Sequence, residues 1–373
     1  MSDGFSFSIE AVDGRARSGT LRTPRGKAPT PAFMPVGTRA AVKALDPDEV
    51  RASGASIVLG NTYHLMLRPG PELVRRAGGL ARFMGWEGPT LTDSGGFQIF
   101  SLGERVRIDD EGAVFSSHID GTRIELTPER AIEIQGALGS EIAMTLDECP
   151  PGGADRERLA RAADRTAVWA RRALEVERPA GQALFGIAQG GTREDLRLAQ
   201  IEELSALPFQ GLALGGLSVG EPSEEMYRVL EAVAHRMPNE RPRYLMGVGR
   251  PEDILAAVRS GIDMFDCVMP TRNARNGQAF VRGGRISIKQ ARWAEDPLPL
   301  DPACECPCCK RFDRRYLRHL YLSGEMLAAR LMTVHNLHHY GEMMRGARKA
   351  IAAGELDAFI SGWLAPEEAL NQR

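Results

Sequence analysis

The sequence predicts an α/β fold: a parallel (β/α)8 TIM barrel with an N-terminal β-hairpin and a cysteine-rich subdomain inserted near the C-terminus. Three observations lead there. Short apolar runs alternate with helical patterns along most of the chain. Eight of those runs are nearly continuous in apolar residues, as strands buried on two faces are. The length, 373 residues, suits either one large α/β barrel or two ordinary domains. No internal repeat or low-complexity linker divides the chain, so 1–373 reads as a single domain, with the subdomain at about 280–340.

In chain order, residues 1–30 read as a β-hairpin plug, because Phe5-Ser-Phe-Ser-Ile9 alternates cleanly. The barrel strands follow as 31–37, 55–60, 89–93, 142–147, 183–189, 211–215, 243–246 and 263–268. Helix starts separate them. Asp46-Pro47 and Thr127-Pro128 pair a capping side chain with a proline at the first helical position, and Pro222-Ser223 reads the same way. Arg250-Pro251 opens another helix. Asp155 to Glu177 is a long amphipathic helix, with Leu159, Ala162, Ala163, Thr166, Trp169, Ala170 and Ala173 on one side. Residues 105–126 break the alternation. Their short runs around Asp110-Glu-Gly and Asp120-Gly predict a hairpin inserted after the third strand. The segment after His335 supplies a closing helix.

Composition narrows the function classes. The net charge of -2 gives no global pull toward nucleic acid. Locally the balance differs. Seven Lys/Arg and no acid lie between Asp13 and Asp46, and six with no acid between Asp266 and Glu295. Lys310, Arg311, Arg314, Arg315 and Arg318 extend the second group, a pattern that fits a phosphate-backbone footprint. The first residues carry neither a basic n-region nor an apolar h-region, and no apolar run approaches a membrane span. Cysteines gathered in one cluster do not form a secreted disulfide framework. The expectation is a cytoplasmic protein.

Four of the six cysteines fall in Cys304-Glu-Cys306-Pro-Cys308-Cys309. Thiolates at C-x-C-x-x-C spacing, here Cys304, Cys306 and Cys309, supply three ligands on one tight loop for a tetrahedral Zn2+. One imidazole of His335, His338 or His339 closes the set.

In a barrel of this kind the active site lies at the C-terminal ends of the strands. Those ends carry Asp93, Asp147, Gln189, Gly215-Gly216, Met246-Gly247 and Asp266. Glycine doublets at 95–96, 190–191 and 215–216 let backbone N–H groups approach a ligand closely. The strand ends offer neither a metal-ligand pair nor a Ser-His-Asp set, so the mouth offers two-carboxylate chemistry. One carboxylate attacks and the other moves a proton, which suits displacement at an anomeric carbon.

Long motifs over nearly the whole chain resemble the tRNA-guanine transglycosylases. They are Asp93-Ser-Gly-Gly-Phe-Gln98, Asp147-Glu-Cys149, Gly186-Ile-Ala-Gln-Gly-Gly191, Leu214-Gly-Gly-Leu-Ser-Val-Gly-Glu221, Tyr244-Leu-Met-Gly-Val-Gly249 and Phe265-Asp-Cys-Val-Met-Pro-Thr-Arg272. Cys304-x-Cys306-x-x-Cys309 with His335 twenty-six residues on completes the likeness and implies His335 as the fourth ligand of a structural Zn2+.

The resemblance implies a homodimeric enzyme that binds the tRNA anticodon loop, with Asp266 as nucleophile and Asp93 as general acid/base. It implies base contacts from Asp93, Ser94, Gly95, Gly96, Phe97, Asp147, Gln189, Gly216, Leu217 and Met246. For RNA it implies Gly247, Val248, Gly249, Arg250, Pro251, Glu252 and Asp253, together with Thr271, Arg272, Asn273, Ala274 and Arg275. Cys149 and Ser218-Val219 resemble the bacterial branch, which replaces guanine with 7-aminomethyl-7-deazaguanine (preQ1). The alternative is a non-catalytic tRNA-binding relative, which is expected to lack the nucleophile or the acid; Asp93 and Asp266 are both present.

Overall fold

The computed structural model describes residues 4–100 and 106–365. Eight parallel strands close on themselves: Ala32–Gly37, Val58–Gly60, Thr90–Thr92, Ile142–Met144, Ala183–Ala188, Gly211–Leu214, Arg243–Leu245 and Met264–Cys267. The last pairs with the first, Met264 opposite Ala32 through Cys267 opposite Pro35. Each predicted strand is present but shorter at its ends. Residues 55–57, for example, precede the second strand rather than extend it.

These strands are buried on both faces, yet they keep a period of two. Met34, Leu59, Leu91, Ile142, Met144, Phe185, Ile187, Ala213, Tyr244 and Met264 form the barrel interior. Their neighbours Phe33, Val58, Ala143, Leu184, Leu212, Leu245 and Phe265 face the surrounding helices. Parity then sets direction at the mouth. Two residues beyond Leu91, Ile187, Tyr244 and Met264 stand Asp93, Gln189, Met246 and Asp266, all on the inward face.

The N-terminal segment is a three-stranded antiparallel sheet, Ser6–Asp13, Ala16–Thr23 and Gly26–Thr30, rather than a lone hairpin. Leu21 and Ala28 complete the interior cluster from below, and the Phe5 ring meets Phe185 edge-on at 5.9 Å. The Arg17 guanidinium holds the Asp263 carboxylate through two bonds, 2.9 and 2.5 Å, and both side chains are buried. Burial raises the Asp263 pKa against the pull of Arg17, so the pair gains little net stability but becomes costly to break.

The insertion after the third strand is a three-stranded meander, Val106–Asp109, Gly112–Ser116 and Arg123–Leu126, one strand more than a hairpin. Arg105 lies outside the described residues. The helices Pro47–Ala52 and Pro128–Leu138 carry the expected caps from Asp46 and Thr127, and the long amphipathic helix is Arg156–Leu174, with Asp155 as its cap rather than its first residue. Ser223–Val233 differs: Pro222 occupies the cap position itself, in extended conformation, and no side chain caps that helix. Among the described residues no helix is long and apolar enough to cross a membrane.

Beyond the eighth strand come the helix Met269–Arg275, a hairpin Gln278–Val281 with Gly284–Ser287, the cysteine loop and the helix Arg314–Leu322. They share a small core of Val281, Ile286, Trp293, Leu300, Leu317 and Met332. The helix that follows starts at Met326, before His335, and runs 28 residues to Ala353. It serves the subdomain with its first turns and closes the barrel with its last. There Arg348 Nη1 donates to the Pro31 carbonyl at 2.7 Å.

Candidate active site

Asp93 stands just past the third strand, buried. Thr62 N–H donates to its Oδ1 at 2.8 Å; Gln98 Nε2 donates to Oδ2 at 2.9 Å, and Asn61 Nδ2 donates to the same oxygen at 2.5 Å. Burial outweighs these three donors and, with the nearby charge of Asp266, raises the Asp93 pKa to about 6.

Asp266 sits within the last strand, half-buried. Tyr244 Oη donates to its Oδ1 at 2.6 Å and Gly247 N–H at 2.8 Å. Among the described residues nothing donates to Oδ2. Burial and the adjacent aspartate hold the Tyr244 phenol pKa well above its usual value, so it remains a donor. Burial also raises the Asp266 pKa, while Tyr244 and Gly247 oppose that rise. Two carboxyls in electrostatic contact thus have unlike settings: one able to hold a proton near neutrality, the other with an open oxygen.

Next to them Asp147 is buried with both oxygens oriented: Ser94 Oγ donates to Oδ1 at 2.9 Å and Gln189 Nε2 to Oδ2 at 2.6 Å. Each oxygen keeps acceptor capacity, and the Gln189 amide keeps a second N–H. This is a planar acceptor–acceptor edge beside a donor, complementary to the N1–H, 2-amino and 6-oxo groups of guanine. The backbone crowds in around it. A Cβ on Gly96 would stand 2.7 Å from the Asp147 carbonyl, and one on Gly216 would stand 2.3 Å from Gln189 Oε1. Gly216 has a φ of 64°, and Leu217 behind it is buried. Gly95 (φ 83°) turns the chain between Ser94 and the short helix Gly96–Phe100. Phe97 is 59% exposed at the rim, while Met246 is half-buried against the interior cluster.

The segments expected to meet RNA flank the mouth, but not every side chain in them is available. Gly247, Arg250, Glu252 and Arg272 are exposed, and Asn273 and Arg275 are half-buried. Val248, Pro251, Asp253, Thr271 and Ala274 are buried, so no side-chain contact with a macromolecule is open to them. Asp253 Oδ1 instead accepts from Tyr227 Oη at 2.6 Å, and Arg275 Nη1 donates to the Thr271 carbonyl at 2.8 Å. Gly249 is buried, and its carbonyl accepts from Tyr340 Oη.

Several residues that shape the site carried no clear sequence signal. Asn61 follows the second strand and could have been found by the strand-end rule. Tyr244 lies inside a strand, where its parity, not its type, reveals it. Glu221 receives the Val219 N–H at 3.0 Å and the Ser218 N–H, fixing the loop beside Leu217. Ser218 there has a φ of 58°, in the left-handed region.

In the subdomain, Cys304, Cys306, Cys309 and His335 bring their ligand atoms within 4.8 Å of one another. His335 Nδ1 lies 3.6 Å from Cys306 Sγ and 3.3 Å from Cys309 Sγ. Tetrahedral zinc bonds of ordinary length set an N···S edge of roughly 3.6 Å. His335 Nε2 lies 2.7 Å from the Phe280 carbonyl; as donor there it leaves the Nδ1 lone pair toward the thiols, the tautomer a metal needs. The residues therefore fit a metal ion. Cys308, which the C-x-C-x-x-C spacing leaves out of the ligand set, is fully buried in the apolar core of the subdomain and packs there.

Comparison with known proteins agrees with this geometry. The family profile described as Queuine tRNA-ribosyltransferase matches residues 13–368. A protein named queuine tRNA-ribosyltransferase from Sorangium cellulosum is 58% identical over 369 residues, covering 99% of this chain and 93% of its own. Proteins of the same name from Cereibacter sphaeroides and Pseudomonas aeruginosa are 53% and 52% identical, covering 97% and 96% of this chain and 97% of each of theirs. With a guanine-shaped edge beside two unlike aspartates, and such identity along nearly its whole length, the chain belongs to the queuine tRNA-ribosyltransferase family, the tRNA-guanine transglycosylases.

Proposed function

We propose that the protein exchanges the wobble guanine of tRNAs with a G-U-N anticodon, those for Asp, Asn, His and Tyr, for preQ1. This is a step of queuosine biosynthesis, and it proceeds by double displacement. The observation that carries the reading is the pairing of Asp266, with its open Oδ2, and Asp93, with its raised pKa.

Asp266 Oδ2 attacks C1′ of the wobble ribose. The C1′–N9 bond breaks and its electron pair leaves with guanine, which takes the Asp93 proton. An RNA–aspartyl ester remains. PreQ1 then enters the same pocket and Asp93 removes its N9 proton. N9 attacks C1′, and the ester electrons return to Asp266. Two inversions restore the anomeric configuration. The glycosidic carbon is unreachable in the stack, so the nucleotide must be flipped out.

Asp147 accepts from N1–H and the 2-amino group, Gln189 and the Gly216 N–H donate to O6, and Phe97 and Met246 sandwich the ring. The Leu217 carbonyl receives the aminomethyl group. Arg250, Arg272 and Arg275 face the anticodon loop; for Arg272 and Arg275 this agrees with the acid-free stretch after Asp266. The metal is Zn2+, one per chain; four protein ligands leave no open position, so its part is structural. A homodimer is supported by exposed apolar residues on two consecutive helices, Tyr316 and Leu322 on one and Met326 and Leu327 on the next. The setting is the cytoplasm, where the tRNA is.

Incubation of the four tRNAs with labelled guanine is expected to place the label in RNA, and a preQ1 chase to remove it. Label entering a tRNA with no guanine at the wobble position, or surviving the chase, would overturn the reading. The pH dependence has a definite sign. RNA attack needs Asp93 protonated and Asp266 ionised, so single-turnover guanine release should fall about tenfold per pH unit above an apparent pKa near 6, and fall again at lower pH where Asp266, its pKa raised by burial, takes up a proton. A rate rising with pH above that apparent pKa would assign the proton to another group.

A further inference from the structure

Arg197 belongs to the helix Glu194–Ser205, and its side chain is fully buried. Among the described residues no carboxylate pairs with it. Its partners are four carbonyls instead. Nε donates to Gly191 O at 2.6 Å, Nη1 to Ala188 O at 3.3 Å, and Nη2 to Gly215 O at 2.8 Å and Gly216 O at 3.3 Å. Of the carboxylates, only Glu221 acts on it, through its charge at longer range. A buried cation with no carboxylate bonded to it is costly, and an apolar side chain would fill this space at less cost.

The glycine doublets make the arrangement possible. A Cβ on Gly190 would meet Arg197 Cγ at 3.0 Å and its backbone nitrogen at 3.1 Å. Gly191 and Gly216 have φ values of 56° and 64°, which turn their loops around the guanidinium. Two glycine doublets on successive βα loops thus converge on one side chain.

Peptide planarity gives this clamp a direction. In a trans peptide the C=O and the following N–H point opposite ways. A donor holding the Gly215 carbonyl from behind therefore turns the Gly216 N–H away from itself. Gln189 and Asp147 lie against the same peptide: a Cβ on Gly215 would lie 2.7 Å from Gln189 Nε2 and 3.3 Å from Asp147 Oδ2, and one on Gly216 would lie 2.3 Å from Gln189 Oε1.

We propose that Arg197 is a positioning residue for the base carbonyl: it aims the Gly216 N–H at O6 and sets a buried positive charge behind that donor. The inference rests on the reading of Asp147, Gln189 and Gly216 as the base site. It adds an electrostatic element that none of those residues supplies. As the C1′–N9 bond breaks, charge grows on the purine and its O6, and a fixed donor backed by a cation stabilises that charge without reorganising. Burial lowers the Arg197 pKa only to about 10, so the cation persists at neutral pH.

The test compares guanine with 2-aminopurine, which keeps the 2-amino group but has hydrogen at C6 and no N1–H. The loss of N1–H at Asp147 is common to all variants, so the effect of Arg197 is read from the change in ratio between them. Both affinities are measured in the wild type and in Arg197→Met and Arg197→Lys, with thermal midpoints as the folding control. Arg197→Met should lower the guanine to 2-aminopurine affinity ratio about 10- to 100-fold, with 2-aminopurine binding itself little changed. Arg197→Lys, which keeps the charge and some donors, should restore part of the ratio. If Arg197→Met fails to fold, Arg197→Gln, neutral but still a donor, is measured in its place. An unchanged ratio in a folded neutral variant, or an equal loss for both bases, overturns the proposal. A wild type that does not prefer guanine overturns the base-site reading and this inference with it.

Discussion

Replacing Asp266 with asparagine should lower guanine exchange by at least about 10⁴-fold, the scale on which loss of a covalent nucleophile is felt. The fold should survive. Tyr244 Oη and the Gly247 N–H both donate to Oδ1, which asparagine keeps as an acceptor. The new amide takes the place of Oδ2, which no described residue holds. Thermal midpoints should thus agree closely, and a denaturing gel should show RNA retained by the wild type and none by the variant. Exchange persisting in Asp266→Asn would remove the covalent ester from the mechanism.

The second large effect concerns the metal site. Cys306→Ser or His335→Ala should reduce the bound metal from one ion per chain to none and melt the subdomain. Structural zinc contributes about 10–16 kcal/mol in small modules, as much as the 5–15 kcal/mol that holds a whole domain. The core around the cysteines is small, with Val281, Ile286, Ile288, Trp293, Leu300, Leu317 and Met332 as its buried apolar side chains besides Ala274, Ala279 and the cysteines, too small to replace that term. Cys308 is the reporter. Fully buried in the intact subdomain, it should become reactive to a thiol reagent in either variant, while Cys149 and Cys267, buried in the barrel, stay protected. A variant that keeps Cys308 unreactive and melts like the wild type would show that the metal holds nothing together.

Much of this was legible in the chain because the barrel imposes simple rules. Strand runs flanked by capped helices located all eight strands, and strand ends located Asp93, Asp147, Gln189 and Asp266. What stayed hidden depends on distant pairing. Arg197 is a helical arginine like many others in the sequence, and only three-dimensional closure brings the carbonyls of two loops onto it. Tyr244 reads as a buried core residue until parity turns its hydroxyl to Asp266. The resemblance marks the RNA segments as continuous stretches, whereas a helix shows only some of its residues to solvent, so Asp253 and Ala274 are buried, and Val248 is buried in the loop before the first of those helices. The meander at 106–126 has one strand more than the predicted hairpin because its third strand, Arg123–Leu126, alternates as a strand should but is only four residues long.

The bond between Arg17 and Asp263 joins residues 246 positions apart, and the closing pair of strands spans nearly as far. Consider the chain leaving the ribosome at roughly 5–20 residues per second. For about 12–50 s the first barrel strand has made one neighbour and lacks the other. Its open edge and the apolar faces on either side await a partner not yet translated. Such long-range closure slows folding and leaves sticky edges exposed. The N-terminal sheet, complete within the first thirty residues, is the one part of the closing surface that can form early, and it offers the late strand a ready seat when Asp263 arrives.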